Sequence, residues 1–461
     1  MRPNLPTAHS PRFASRHARL LLVLAASLWH ISVTALVFII GRSGRVPGQF
    51  DQKGLGNFAS DGFMYQTEVL ELCGVLKNQG VIVWANWPTQ LHVRLYSLPV
   101  AALNGGTRFD ILTIEPLNLI YYLAILILVY KLGELVFNGR AGLMAAATVA
   151  LWPSFLLHTT QLLRDPLLIT AVLVLMLSVT LCLKRDYAWP KGLLLGAAGT
   201  AAIVLIRIVR LPMWGMVWAI ILLGVFFLIV RLVGQKRLPA GNVIFMIIVT
   251  AVVTITPHFQ SRFHNQQLAR RRGVIAHEEV QQLPLEEQMA THREGFNWRV
   301  DSSGNVVPSE AGSDIDQGVH LTKFSDIVRG VPRALAVGFF APFPNMWFRD
   351  GKQVGGSGRL LSGFETMLSY VIECLALFGL WRRRRDVAAW LLCLVMTLGA
   401  LVLGLVVANI GALYRLRYPF WTLLIILGAG GADYLLRRTK AATGVSTGHA
   451  VNHESPGTFH S

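Results

Sequence analysis

Charge is scarce in this chain of 461 residues, where Asp, Glu, Lys and Arg together make up 15%. So low a fraction, beside 53% hydrophobic residues, excludes an ordinary soluble domain on average composition. Acidic residues are the scarcer kind, 25 against 42 Lys and Arg, which leaves a formal net charge of +17. Cysteine is nearly absent: of four, only Cys73 falls outside the long apolar runs, while Cys182, Cys374 and Cys393 lie within them. That distribution leaves no disulfide outside a membrane and no metal-ligand cysteine spacing. No GxxxxGK[ST] occurs, and the glycines from Gly351 to Gly358 follow no strand and read as flexible loop, which argues against an ATP-driven pump. No internal repeat is visible.

What the chain has instead is apolar runs. About ten can be placed near the roughly 17 to 25 residues needed to cross ~30 Å of hydrocarbon. They are 20–40, 116–136, 142–157, 166–183, 192–206, 211–230, 243–257, 360–380, 387–408 and 419–436. This predicts an all-α polytopic membrane protein of about ten transmembrane helices, with interfacial helices in two large outer loops.

The basic surplus has a use that requires no nucleic acid, because Lys and Arg hold loops on the cytoplasmic side of a membrane. With alternating spans, Arg2 to Arg19, the turns near Lys131 and Arg140, Lys184 and Arg185, Arg231 to Arg237, Arg382 to Arg385, and Arg437 to Lys440 all fall on one side. Both termini are then expected in the cytoplasm. Residues 1–19 form a tail, 20–436 a single transmembrane domain with outer loops 41–115 and 258–359, and 437–461 a second tail whose polar composition predicts disorder. The block Arg382 to Arg385 is also compatible with an anionic-lipid or nucleic-acid patch, but it abuts a span and the topological reading needs no partner. The first apolar run exceeds a signal-peptide core and no small-x-small site follows it, so it reads as an uncleaved anchor.

Polar chemistry collects on the outer side. In the first outer loop, Asp61, Tyr65 and Glu68 stand at i, i+4 and i+7 of a predicted helix and share one face. Phe63, Met64, Val69, Leu70 and Leu72 are available to lie against membrane or protein. Asp61 either presents a carboxylate there or caps the helix start behind Ser60. A second amphipathic stretch, Leu91 to Leu103, carries His92 and Arg94.

Three short outer turns carry arginine where positive-inside bias should deplete it. They run from His158 to Asp165, with Arg164; from Arg207 to Pro212, with Arg210; and from Asn409 to Pro419, with Tyr414, Arg415 and Arg417. Ionisable groups at this depth are functional candidates, and the planar guanidinium suits phosphate oxygens bidentately. Such a cluster points to a lipid phosphate or pyrophosphate; the alternative is pairing with Asp165, Glu365 or loop acids, or snorkelling to headgroups. Asp165-Pro166 equally reads as an N-cap followed by proline at the first helical position. Glu373, inside a span, is either a partner for one of these cations or a reactive group. In the second long loop, 262–326 is polar, whereas Gly338 to Phe348 is apolar and aromatic, with prolines that exclude a plain spanning helix.

Taken in order, these features resemble the GT-C class of polytopic membrane glycosyltransferases, which use polyprenyl-phosphate sugars. The resemblance rests on an Asp soon after the first span (Asp61), a charged third-to-fourth turn (Arg164, Asp165), an arginine at the fifth-to-sixth turn (Arg207 or Arg210), and the element Tyr414 to Pro419. Phe339-Phe-Ala-Pro-Phe-Pro344, Glu365 and Asn409-x-Gly-x-Leu-Tyr-Arg-x-Arg417 resemble bacterial envelope-polysaccharide members.

The resemblance implies transfer of a hexosyl or pentosyl unit from a polyprenyl-phosphate donor to a glycan or lipid acceptor, on the outer face of a bacterial cytoplasmic (inner) membrane. It implies Asp61 as general base and Asp165 as its support. Tyr65, His158, Arg164, Arg207, Arg210, Glu365, Tyr414, Arg415 and Arg417 would line the substrate site. No cofactor is fixed by it. A divalent cation, Mg or Mn, would take Asp61 and Asp165 as ligands, although Gly62 stands where the family commonly has a second acid. A polysaccharide polymerase or ligase acting on a lipid-pyrophosphate oligosaccharide would use similar arginines. A lipid-linked-glycan flippase or transporter would favour a midplane site between related halves, and no such symmetry is visible.

Overall fold

Runs of Leu, Ile, Val and Ala can satisfy their backbone groups in hydrocarbon as helix, and these runs do so. The computed structural model describes residues 12–46, 48–235, 239–256, 284–295, 298–300, 306–308, 314–316, 318–319, 323–348 and 355–447. α1 (Arg12–Ser43) leads into the first long loop, which folds as α2 (Asp61–Gln79), α3 (Val81–Asn86) and α4 (Leu91–Asn104). Then come α5 (Ile111–Val136), α6 (Gly139–Ala150), α7 (Pro153–Thr159), α8 (Asp165–Lys184), α9 (Trp189–Val209), α10 (Trp214–Gln235) and α11 (Ala240–Ile255). The second long loop holds α12 (Leu285–Glu294), a two-stranded antiparallel ribbon of β1 (Trp298–Val300) and β2 (Val306–Pro308), and α13 (Phe324–Phe340). The chain continues through α14 (Gly355–Arg382), α15 (Val387–Val406), α16 (Ile410–Leu416) and α17 (Tyr418–Thr447).

Among the described residues, eight helices are long and apolar enough to cross a membrane, so the protein is an all-helical multi-pass membrane protein apart from its small ribbon. Two of the ten expected spans differ. The third is a pair, α6 and α7, bent by 68°. Trp152 is extended (φ −75°, ψ 114°) and Pro153 cannot donate to the preceding turn, so the helix stops and restarts. The seventh is α11, whose 16 residues reach roughly 24 Å, short of the ~30 Å hydrocarbon core.

A third difference lies at the end of the chain: α17 runs on to Thr447 where the polar composition predicts a disordered tail. Arg437, Arg438, Lys440, Ala441 and Ala442 are all good helix formers, and they extend it. Residues 1–11, 257–283, including Arg270 to Arg272, 351–354 and 448–461 lie outside the described residues.

Helices approach each other through small residues, as packing within lipid favours. A Cβ added at Gly431 of α17 would collide with the Leu375 carbonyl of α14, and one at Gly379 with the Leu427 carbonyl. In the same way Gly338 of α13 abuts Ala400 of α15, and Gly404 of α15 abuts Ala334. α13 therefore lies along α15, burying Ile327, Ala334 and Val337. Its C-terminal end breaks at Ala341 into the proline-rich segment, which turns through a 3-10 element at Pro344–Met346, with Trp347 Nε1 donating to the Pro342 carbonyl at 2.8 Å.

One set of polar groups buried in the bundle is closely paired, as desolvation favours. His30 Nδ1 lies 2.7 Å from Glu115 Oε1, its Nε2 3.1 Å from Thr159 Oγ1, and Thr34 donates to Glu115 Oε2 at 2.8 Å. This node joins α1, α5 and α7, and so fixes the start of the turn that carries Arg164.

Candidate active site

Two helices begin with an aspartate at the same end of the bundle. Asp61 is the first residue of α2 and Asp165 the first of α8, and no side-chain cap bond forms at either helix start. Both capping readings therefore fall away. Arg164 takes the cap position of α8, and the carboxylate of Asp165 faces arginines instead. Pro166 follows in the first turn, where its missing N–H costs nothing.

The turn from His158 to Asp165 is held by an uncharged residue. Gln161 accepts from the Gly56 N–H at 2.8 Å and donates to the Gly54 carbonyl at 3.3 Å, binding the loop before α2 to the turn before α8. Tyr96 of α4 donates to Asn118 at 2.6 Å and lies 3.1 Å from the Leu163 carbonyl. Gly62 completes the contact: a Cβ there would sit 3.4 Å from the Leu162 carbonyl oxygen and from a Leu55 methyl. These are ordinary van der Waals distances, so the first turn of α2 lies close on the turn below it.

On this frame α16 delivers the third turn. Asn409 caps it by accepting from the Ala412 N–H at 3.1 Å, and the preceding backbone is tied to the second long loop through Ile315 N–H to Ala408 O at 2.8 Å. Arg415 then reaches between the two aspartates: Nη2 is 3.0 Å from Asp61 Oδ2, and Nε is 4.0 Å from Asp165 Oδ2. Arg210, at the break between α9 and α10, lies 3.7 Å from Asp165 Oδ1. With Arg164 beside them, three guanidiniums meet two carboxylates, and one positive charge is in surplus.

The charges bias one another. Burial alone would raise the Asp61 carboxyl, but Arg415, then Arg164 and Arg210, outweigh it and hold it below its ordinary value. Burial works against the Arg415 charge, and Asp61 and Asp165 overcome it, raising its pKa above the usual arginine value. Arg210 is pulled down to about 10 by burial and by Arg164, with Asp165 opposing, and stays protonated at neutral pH. The Asp61 side chain is 35% exposed and that of Asp165 8%, so Asp61 is the carboxylate a substrate can reach. Two donors in the cluster are buried with no hydrogen-bond acceptor among the described residues: Arg164 Nε and Arg415 Nη1.

The remaining candidates divide. Tyr65, one turn along α2 from Asp61, is buried edge-on against the His92 ring at 4.5 Å, and burial first, then Asp61 and Asp165, raise its phenol above the ordinary value. His158 directs Nδ1 at the Ser154 carbonyl at 2.6 Å. A carbonyl only accepts, so Nδ1 carries the proton and Nε2 is the acceptor nitrogen. Arg207 lies over the Trp214 ring at 4.7 Å.

Glu365, Tyr414 and Arg417 are wall rather than surface. Glu365 is fully buried, accepting from the Ser154 N–H at 2.6 Å and the Tyr414 hydroxyl at 2.7 Å, so it ties α14 to the start of α7 and to α16. Arg417 donates to the Ala341 carbonyl at 2.7 Å and stacks on the Tyr414 ring at 4.1 Å. Both oxygens of Glu365 are thus engaged, and each of these three side chains has a partner within the protein. Gln161, Ser154 and Tyr418 are scaffold residues absent from the sequence-based set; Tyr418 donates to Ser154 at 3.0 Å.

A divalent cation fits this arrangement poorly. Among the described residues no group of three His, Cys, Asp or Glu converges as metal ligands. The space between Asp61 and Asp165 is taken by the Arg415 guanidinium, whose charge would repel a dication.

No family model matches the chain, and no curated protein sequence matches it. Among solved structures, it is similar to the archaeal oligosaccharyltransferase AglB from Archaeoglobus fulgidus in complex with an inhibitory peptide and a dolichol-phosphate. Identity is 12% and the TM-score 0.44, over 93% of this chain and 53% of that one. The chain spans about half the length of that protein.

Proposed function

We propose that the Asp61–Arg415–Asp165 cluster transfers a sugar from a lipid-linked phosphate donor to an acceptor hydroxyl at the outer face of a bacterial cytoplasmic membrane. The observation that carries this reading is the pair of buried guanidinium donors, Arg164 Nε and Arg415 Nη1, that meet no acceptor among the described residues, beside an ionised, accessible Asp61. Buried donors left unsatisfied cost free energy, and a site with a surplus positive charge satisfies them when an anion binds. Phosphate oxygens match the guanidinium geometry.

The chemistry then follows from charge. The acceptor oxygen attacks the anomeric carbon, its proton passes to the Asp61 carboxylate, and the bond from that carbon to the phosphate oxygen breaks with the electron pair leaving on the phosphate. Arg415 and Arg164 offset the charge that gathers there, the kind of fixed stabilisation that acts mainly in the transition state. Asp165, nearly inaccessible, holds Arg210 and Arg415 in place rather than reacting.

Arg415 has a second consequence. Paired with Asp61 it makes that carboxylate a weak base, and a donor phosphate competing for the same guanidinium loosens the pair and returns basicity to Asp61. Donor binding would thereby prepare the base for the acceptor.

The test is a transfer assay with purified protein in lipid nanodiscs, offered either a polyprenyl-phosphate monosaccharide or a lipid-pyrophosphate oligosaccharide. Consumption of the monosaccharide donor is the expected result. Consumption of the oligosaccharide alone would replace this reading with that of a polymerase or ligase, and consumption of neither, with movement of the lipid between leaflets, with that of a flippase.

A further inference from the structure

The far end of α8 lies in a second charged region. From Asp165 to Lys184 the helix rises roughly 30 Å at ~1.5 Å per residue, the thickness of a bilayer core, so the two regions face opposite membrane surfaces. Around Lys184, the ends of α10 and α14, the start of α15 and the later turns of α17 enclose a cleft of about 840 Å³. Its rim is the block Arg382 to Arg385.

The acids nearby are already engaged. Asp386 accepts from Lys184 at 2.6 Å, Asp433 pairs with Arg437 at 2.9 Å and Arg140 at 3.7 Å, and Asp186 pairs with Arg231. Arg382 lies over the Tyr434 ring at 5.4 Å, Arg383 donates to the Phe137 carbonyl at 3.0 Å, and Arg384 lies over the Trp381 ring at 4.8 Å. Among the described residues none of the four arginines meets a carboxylate, so their charge is uncompensated. Basic residues that merely keep a loop on one side of the membrane need no cavity; here they border one.

Apolar side chains continue from the cleft along the bundle surface. Trp381 is 71% exposed, Leu377 one turn below it 69%, and Val230 of α10, in the cleft wall, 45%. An indole at headgroup level above exposed aliphatic side chains is the setting of a lipid chain, whereas a soluble phosphate would make no use of it.

We propose that this cleft binds the phosphate headgroup of an anionic phospholipid, with its acyl chains lying against Leu377, Trp381 and Val230. Guanidinium groups pair with phosphodiester oxygens, and basic pockets between helix ends are suited to such headgroups.

The test uses the full chain in mixed micelles of phosphatidylglycerol and phosphatidylcholine, with retained lipid counted by native mass spectrometry. Phosphatidylglycerol is expected to be retained in preference, and Arg384→Ala/Arg385→Ala to lower its apparent affinity on the order of tenfold. Lys191→Ala, an exposed charge at the same end of the bundle, serves as the control and should leave retention unchanged. Thermal midpoints taken without added lipid establish that both variants fold. Equal retention of the two lipids, undiminished retention by the double variant, or an equal loss in the Lys191 control would overturn the proposal. Inorganic phosphate displacing phosphatidylglycerol at equal concentration would also overturn it, in favour of a soluble phosphate.

Discussion

The Arg415 guanidinium donates to the Asp61 carboxylate across 3.0 Å, joining residues 354 positions apart in the chain. The pair couples a candidate base to a candidate phosphate ligand, and it makes the ionisation of Asp61 depend on whether Arg415 is otherwise engaged.

Removing Arg415 should act on both. Arg415→Ala is expected to lower turnover by roughly 10²–10³-fold, the size of effect seen when one fixed donor to a developing anion is lost. Because Asp61 stays buried but loses its largest pKa-lowering neighbour, the acid limb of the pH–rate profile should move to higher pH. Arg415→Lys, which keeps charge without the planar fork, should fall between. An acid limb unmoved in Arg415→Ala would separate Asp61 from the reaction.

The same pair gives a pH signature in stability. The folded-state pKa of Asp61 lies below its unfolded value near ~3.9, so its contribution is complete above about pH 4 and disappears as pH falls through the folded value. Thermal midpoints of the wild type and Asp61→Asn should therefore differ at neutral pH and converge in acid. A difference that widens as pH falls would reverse the sign of the shift.

Glu365 and Asp61 should separate cleanly in kind. Glu365→Ala leaves the Ser154 N–H and the Tyr414 hydroxyl without their buried acceptor, and about 2–4 kcal/mol of stability should go with it. Glu365→Gln, which can still accept one of these bonds, should lose less. If Glu365→Ala instead keeps its thermal midpoint and loses donor binding, Glu365 belongs to the substrate site.

Arg164 and Arg417 form a similar contrast. Arg164→Ala should weaken donor binding roughly ten- to hundredfold, as expected for a hydrogen bond to a charged group, with little change in thermal midpoint. Arg417→Ala should lower the midpoint, because its bond to the Ala341 carbonyl is buried, and should leave donor affinity nearly intact. Reversed outcomes would exchange their roles.

How far the sequence could be read follows from what kind of signal each residue gave. Asp165, Arg164, Arg210 and Arg415 stood out because charge in short turns at membrane depth is anomalous one residue at a time, Asp61 stood out on the face of a predicted helix, and the fold brings them together. Glu365, Tyr414 and Arg417 looked alike from sequence. Their partners are a backbone N–H, each other and a backbone carbonyl, none of which has a sequence signature. Gln161 was hidden for the opposite reason: an uncharged amide in a turn breaks no expectation, yet it joins two segments 105 and 107 positions apart. Apolar length located the spans but not the bend at Pro153, because a run that is apolar throughout reads the same whether straight or broken. The helix α13 was obscured by Pro332 and the polar residues near its start, although Ile327, Ala334 and Val337 recur at helical spacing and form the face that packs along α15.

The most direct test of a glycosyl-transfer site built on Asp61 is a single-turnover measurement with purified Asp61→Asn and a polyprenyl-phosphate monosaccharide, following donor binding and sugar transfer in the same sample. Donor bound at wild-type strength or somewhat more tightly, with transfer slowed by about 10²–10⁴-fold, is the expected result. Transfer at the wild-type rate would contradict it.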